Sequence, residues 1–116
     1  MDTATSLKRL EEMRDELDRS IAVLQGERPA EEGGSGYPAD QADAGTTLSE
    51  TDRTQAILEA AQHQRAQVLE ALDRLANGTY GICTQCGRPV PDGRLEARPE
   101  AARCVVCQAK ADRLRR

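Results

Sequence analysis

The sequence predicts a mostly α chain: an antiparallel coiled-coil hairpin, then a small C-terminal four-cysteine finger and a C-terminal helix. Three observations carry that prediction. Apolar residues recur at heptad spacing in two otherwise charged stretches, a polar Gly-rich segment separates them, and two Cys-x2-Cys pairs stand near the end of the chain. Composition agrees. Leu, Ile, Val and Phe supply 19 of the 116 residues, below the roughly 20% that marks a poor core-former. There is no Trp or Phe, and Ala makes up 17 of the apolar residues. Stability must therefore rest on thin helical seams and on a staple other than buried area.

The first arm is read from Leu7, Leu10, Leu17, Ile21 and Leu24, which fall at alternating three- and four-residue steps once Arg14 is allowed as a polar interruption. Gly26 and Pro29 weaken that helix, and Gly33, Gly34 and Gly36 stop it. From Thr47 to Asn77 no Gly or Pro occurs for 31 residues, about 46 Å of helix at 1.5 Å per residue. Thr47, Ser49 or Thr51 is placed to cap its start, and Asn77-Gly78 to stop it. Ile57, Ala61, Val68 and Leu75 form one stripe, with Leu58, Leu69 and Leu72 beside it. On periodicity alone, an ordinary two-helix interaction domain fits as well as a coiled coil. The expected division is a hairpin over 1–78 with its tip loop at about 29–46, then a finger region over 79–116. A third helix is expected from near Glu100 to Leu114.

Charge is asymmetric. Residues 1–78 hold 8 Lys/Arg against 16 Asp/Glu, and residues 79–116 hold 8 against 4. The long acidic part would repel phosphate, so free duplex DNA is a poor partner for it. No stretch approaches the ~18 apolar residues of a membrane helix, and Met1 to Leu10 lacks the pattern of a targeting segment. The expected compartment is the cytoplasm, where thiols stay reduced and cysteine clusters favour metal over disulfides.

Cys83-Thr-Gln-Cys86 and Cys104-Val-Val-Cys107 are separated by 17 residues, the spacing of a four-thiolate zinc site. Two thiolates two residues apart chelate one tetrahedral ion, since a tight turn brings both sulfurs to ~2.3 Å from the metal. With all four positions sulfur, no coordination site is left for water, and one structural Zn2+ is expected. A rubredoxin-like iron site and paired disulfides stand as alternatives at this point. Arg88, Arg94, Arg98 and Arg103 lie close by in sequence, where they could balance the charge of such a centre. His63, the one histidine, reads as a solvated mid-helix residue. There is no Ser/His/Asp or Cys/His arrangement and no phosphate loop, so an enzyme is not expected.

The run Gly81-Ile-Cys83-Thr-Gln-Cys86-Gly87, then Arg94-Leu-Glu-Ala-Arg-Pro99, then Cys104-Val-Val-Cys107 resembles the DksA/TraR-type zinc-finger family of bacterial transcription regulators. That resemblance implies a coiled-coil hairpin, a globular end with the zinc site and a C-terminal helix. It also implies binding to RNA polymerase through its secondary channel, with the hairpin tip directed at the active site. The family's acidic Asp-x-x-Asp-x-Ala tip motif is similar to Asp40-Gln-Ala-Asp43-Ala44-Gly45, with Gly45 where the family has Ala. Basic residues that hold guanosine tetraphosphate in responsive members correspond to Arg98, which is kept, and to Gln67 and Gln108, which are not cations. Weak or absent alarmone synergy is the expectation.

The expectation is thus a cytoplasmic, monomeric regulator that contacts polymerase and not promoter DNA. Two competing readings remain open on the residues alone. One is a zinc-ribbon nucleic-acid module using the C-terminal arginines, and the other is a helical adaptor in which zinc only caps the hairpin. The lack of Phe and Trp argues against a single-strand stacking platform.

Overall fold

The computed structural model describes residues 2–26 and 44–115, and the side chains of the second helix from Glu50 onward. Four helices follow in order: α1 Thr3–Leu24, α2 Ala44–Asn77, α3 Asp92–Ala97 and α4 Val105–Leu114. Among the described residues there is no strand, only an isolated antiparallel bridge between Ile82 and Pro89. The fold is mostly α, as expected.

α1 starts where Asp2, in extended backbone, accepts the Thr5 N–H at 2.7 Å, satisfying one of the orphan donors of the first turn. That backbone hydrogen bond holds the Asp2 carboxyl below its ordinary pKa. The helix ends at Leu24, and Gly26 follows with φ +86° while its N–H reaches the Val23 carbonyl. α2 closes with a Schellman motif: Thr79 N–H bonds the Arg74 carbonyl and Gly78 N–H the Leu75 carbonyl, with Gly78 at φ +80°. The Asn77-Gly78 stop read from the sequence is therefore where the helix ends.

The start of α2 differs from expectation. It begins at Ala44, three residues before Thr47, and takes Gly45 into its first turn, a placement the cost of helical Gly does not forbid. The expected tip loop at about 29–46, with Asp40 and Asp43, lies outside the described residues up to residue 43.

The two arms pack through a narrow seam. Leu10, Val68 and Ala71 are fully buried, with Met13, Leu17, Leu72, Leu75 and Tyr80 partly buried against them. Each fully buried Leu or Val contributes about 1.5–3 kcal/mol. Across the seam Arg65 pairs with Asp18, a half-exposed contact of the kind that contributes less than about 1 kcal/mol. Not every residue of the expected stripes is buried: Ile57 is 50% exposed and Leu69 38%. Counting outward from the Asp18–Arg65 pair in antiparallel register, Leu24 comes level with Glu59, so Ile57 lies beyond the end of α1. Leu69 falls on the flank of the 68-71-72-75 seam, where a single partner helix cannot cover it.

Ser6 is fully buried and its Oγ finds no hydrogen-bond partner among the described residues. A buried unpaired hydroxyl is a net cost, so Ser6→Ala is expected to be neutral or to stabilise by up to about 1 kcal/mol in urea denaturation. Destabilisation beyond that range would show a bond the hydroxyl makes in solution.

The C-terminal helix also departs from expectation. It begins at Val105 with Cys104 as its N-cap residue, not near Glu100. Glu100 is only 4% exposed and sits in the turn before it. The carbonyls of residues 99, 101, 102 and 103 all accept from groups of other elements in place of a helical ladder. α3, unanticipated from the sequence, is six residues long, starts after Pro91 and buries Leu95.

Candidate metal centre

The first knuckle is built by a short turn. Cys83 N–H bonds the Arg88 carbonyl at 2.8 Å, Gly87 N–H bonds the Cys83 carbonyl at 3.0 Å, and Val90 N–H bonds the Gly81 carbonyl at 2.8 Å. Gly87 has φ +76°, a left-handed conformation that L side chains adopt only at a cost of roughly 1–2 kcal/mol, and this is why Gly follows the pair. The second pair straddles the start of α4, with Cys104 at the N-cap and Cys107 in the first turn. One sulfur pair is therefore held by a turn and the other by a helix end.

The four Sγ atoms lie within 4.8 Å of one another, and Cys86 Sγ stands 3.9 Å from Cys104 Sγ. Four sulfurs at ~2.3 Å from one tetrahedral ion would be about 3.8 Å apart, so the donor set fits zinc in both chemistry and spacing. Cys83 is buried at 2% exposure and Cys86 faces solvent. Gln85 N–H points at Cys83 Sγ at 3.4 Å, the N–H···S approach that steadies a thiolate. Burial opposes ionisation of Cys83, but N–H groups of Cys86, Cys104 and Gln85 bring its pKa down to about 6. Cys107 is pushed up to about 12, first by its contact with Cys104 and then by burial. Four thiols this close resist holding several negative charges at once, and a dication relieves that conflict.

Behind the sulfurs, Cys83, Val90 and Leu95 form a second small cluster, flanked by Tyr80, Cys104 and Cys107. Tyr80 packs against both this cluster and the hairpin seam. The nearby arginines do not all face the sulfurs. Arg94 Nε donates to the Arg103 carbonyl at 2.8 Å, and Arg98 Nε lies 3.5 Å from Glu100 Oε2. Arg98 is 62% exposed, whereas Glu100 is buried. Gln67 is half-buried on α2, Gln108 donates to Asp112 at 3.0 Å, and His63 is exposed.

The sequence reading gave no role to Tyr80 or Arg74 and took Glu100 only as the neighbourhood of a helix start. Tyr80 had a visible signal, as the lone aromatic between two glycines just before the first cysteine. Glu100 and Arg74 had none, because their roles come from the turn over residues 98–104. No helix among the described residues is long and apolar enough to cross a membrane.

A helical hairpin whose base carries four convergent cysteines defines a C4 zinc-finger protein of coiled-coil type, with one structural Zn2+ as its cofactor. Residues 78–113 match the family model of the prokaryotic dksA/traR C4-type zinc finger, and the chain belongs to the DksA/TraR family. It is similar to the RNA polymerase-binding transcription factor DksA of Caulobacter vibrioides, with 36% identity over 80 residues, covering 67% of this chain and 55% of the relative. General stress protein 16O of Bacillus subtilis is 33% identical over 78 residues, covering 67% of this chain and 48% of that protein. The chain thus spans about half the length of these curated relatives. The solved structure of transcription factor DksA2 from Pseudomonas aeruginosa superposes with a TM-score of 0.76 at 27% identity, covering 97% of this chain and 84% of that one.

Proposed function

We propose that this chain is a non-catalytic transcription regulator that binds RNA polymerase directly and inserts its acidic hairpin into the secondary channel to modulate initiation. The observation that carries the reading is the four-sulfur centre at the base of a two-helix arm, in a chain similar along 97% of its length to a solved transcription factor of this type. The name of the Caulobacter relative, RNA polymerase-binding transcription factor, supports the partner. In this reading residues 1–78 are the hairpin, and residues 79–116 are the finger region, with zinc held by Cys83, Cys86, Cys104 and Cys107. The protein works as a cytoplasmic monomer without contacting promoter DNA.

A slender arm enters a pore that excludes a globular domain, and the 34 residues of α2 give it about 51 Å of length. Asp40 and Asp43 at its tip would act on basic groups or on metal-bound substrate through charge. Arg98 would contact polymerase or a nucleotide. Its pairing with Glu100 and the neutral Gln67 and Gln108 favour weak alarmone synergy.

The test is in vitro transcription with Asp40→Asn/Asp43→Asn. The variant is expected to lose its effect on initiation while keeping one zinc per chain and its affinity for core polymerase. An undiminished effect would refute the tip assignment. Salt-dependent binding to free nucleic acid, with no binding to polymerase, would replace the reading with a zinc-ribbon module.

A further inference from the structure

The hairpin and the finger are joined by one covalent connection, residues 78–82, and two of its five residues are glycines at positive φ: Gly78 at +80° and Gly81 at +87°. Backbone bonds tie its ends, Gly78 and Thr79 to α2 and Gly81 to Val90, with a longer Ile82 N–H to Thr79 carbonyl bond of 3.4 Å across the middle, so the torsions between Thr79 and Gly81 are where it can swivel. Among the described residues two side chains brace it, Tyr80 from within and Arg74 from α2. Tyr80 packs its ring against both the hairpin cluster and the finger cluster, and its hydroxyl donates to the Pro99 carbonyl at 2.9 Å. Arg74, in the last turn of α2, donates from Nη2 to the Ala101 carbonyl at 3.4 Å. Both acceptors lie in the turn that delivers Cys104 to the metal centre.

That turn is held from the finger side as well. Thr84 N–H bonds the Ala102 carbonyl at 2.9 Å, and Arg94 Nε bonds the Arg103 carbonyl at 2.8 Å. Pro99 is fully buried, so its carbonyl is one that water does not readily satisfy and leaving it unpaired is costly, while residues 101–103 are half-buried. One bond comes from Arg74 on the hairpin, one from Tyr80 in the connector and two from the finger, all onto four of five consecutive residues.

We infer that Tyr80 and Arg74 are positioning residues that fix the direction of the hairpin relative to the zinc finger by clamping the 99–103 turn across a glycine swivel. The importance of that direction rests on the proposed function, in which a tip must be aimed while the base docks. The clamp itself is a property of the isolated chain.

The experiment is measurement of backbone amide residual dipolar couplings on the zinc-loaded full chain, comparing α1 and α2 with α4. In the unmodified protein one alignment tensor is expected to fit all three helices. Tyr80→Phe keeps the ring packing and removes only the hydroxyl. Combined with Arg74→Gln, it is expected to retain one zinc per chain while the alignment strength of α4 drops to about half that of the hairpin, the signature of independent motion. Restoring a cationic donor in Tyr80→Phe/Arg74→Lys should recover part of the loss. A single tensor in the Tyr80→Phe/Arg74→Gln protein, or two tensors in the unmodified one, would overturn the inference. If that double variant loses its metal, Tyr80→Phe alone decides by the same criterion. Polymerase takes no part in the measurement, so a failure here is distinct from a failure of the proposed function.

Discussion

Removing zinc with a chelator, or replacing a ligand as in Cys83→Ser, is expected to unfold the region from Gly78 onward while α1 and α2 stay paired. The finger has three buried core residues, Cys83, Val90 and Leu95, and one of them is itself a metal-facing thiol. A core that small does not offset the entropy of ordering its chain. Metal binding contributes about 10–16 kcal/mol in comparable four-ligand modules and supplies the missing stability. The two knuckles come from unrelated local structures, a Gly87 turn and the N-terminus of α4, and without the ion few bonds such as Thr84 N–H to the Ala102 carbonyl are left to hold them together against crowded sulfurs. The helices lost are short, six residues in α3 and ten in α4, against 22 and 34 in the hairpin arms. Most of the circular dichroism signal should therefore survive while amide dispersion collapses for residues beyond Gly78. A finger whose dispersion persists in metal-free protein would contradict the structural role of zinc.

Leu10→Ala is the second change with a large expected effect. Leu10 is fully buried at the base of the hairpin, against Val68 and Ala71. Large-to-small substitutions at such positions cost about 2–5 kcal/mol through lost transfer energy and the cavity left behind. The seam has few residues with which to collapse into that space. Against a typical total of about 5–15 kcal/mol for a folded protein, the loss takes a large share of stability. The urea midpoint should fall steeply, with the bound metal kept at low denaturant because the finger has its own cluster. Ile57→Ala is the matching control. At 50% exposure and beyond the end of α1, it should change stability by less than about 0.5 kcal/mol. Equal effects of the two substitutions would show that the seam runs differently from the register set by Asp18 and Arg65.

The sequence made some of these elements legible and concealed others for physical reasons. Ligand spacing is local chemistry, so Cys83, Cys86, Cys104 and Cys107 could be read directly, and the structure brings their sulfurs within 4.8 Å. Heptad spacing fixed the two arms, and Asn77-Gly78 fixed the end of α2 through a motif that needs positive φ. Three features escaped. The six residues of α3 are too few for periodicity to register, and only Pro91 and Asp92 hinted at a start. The Ala-rich run after Pro99 has helical composition, yet its carbonyls serve Tyr80, Arg74, Thr84 and Arg94, a tertiary use that propensity cannot express. The exposure of Ile57 and Leu69 depends on where the partner helix lies, which neither stripe contains by itself. The acidic tip residues Asp40 and Asp43 fall outside the described residues and stand on the resemblance.

The most direct test of the whole account places a photoreactive residue at Ala42, between the two acids, in the zinc-loaded chain and maps its adducts on core RNA polymerase. Cross-links to segments lining the route from the enzyme's outer surface to its catalytic metal, lost after chelation of zinc, are the result expected of an arm aimed by its metal-held base. Adducts confined to the outer surface, or none at all from a chain that is folded and fully metallated, would contradict it.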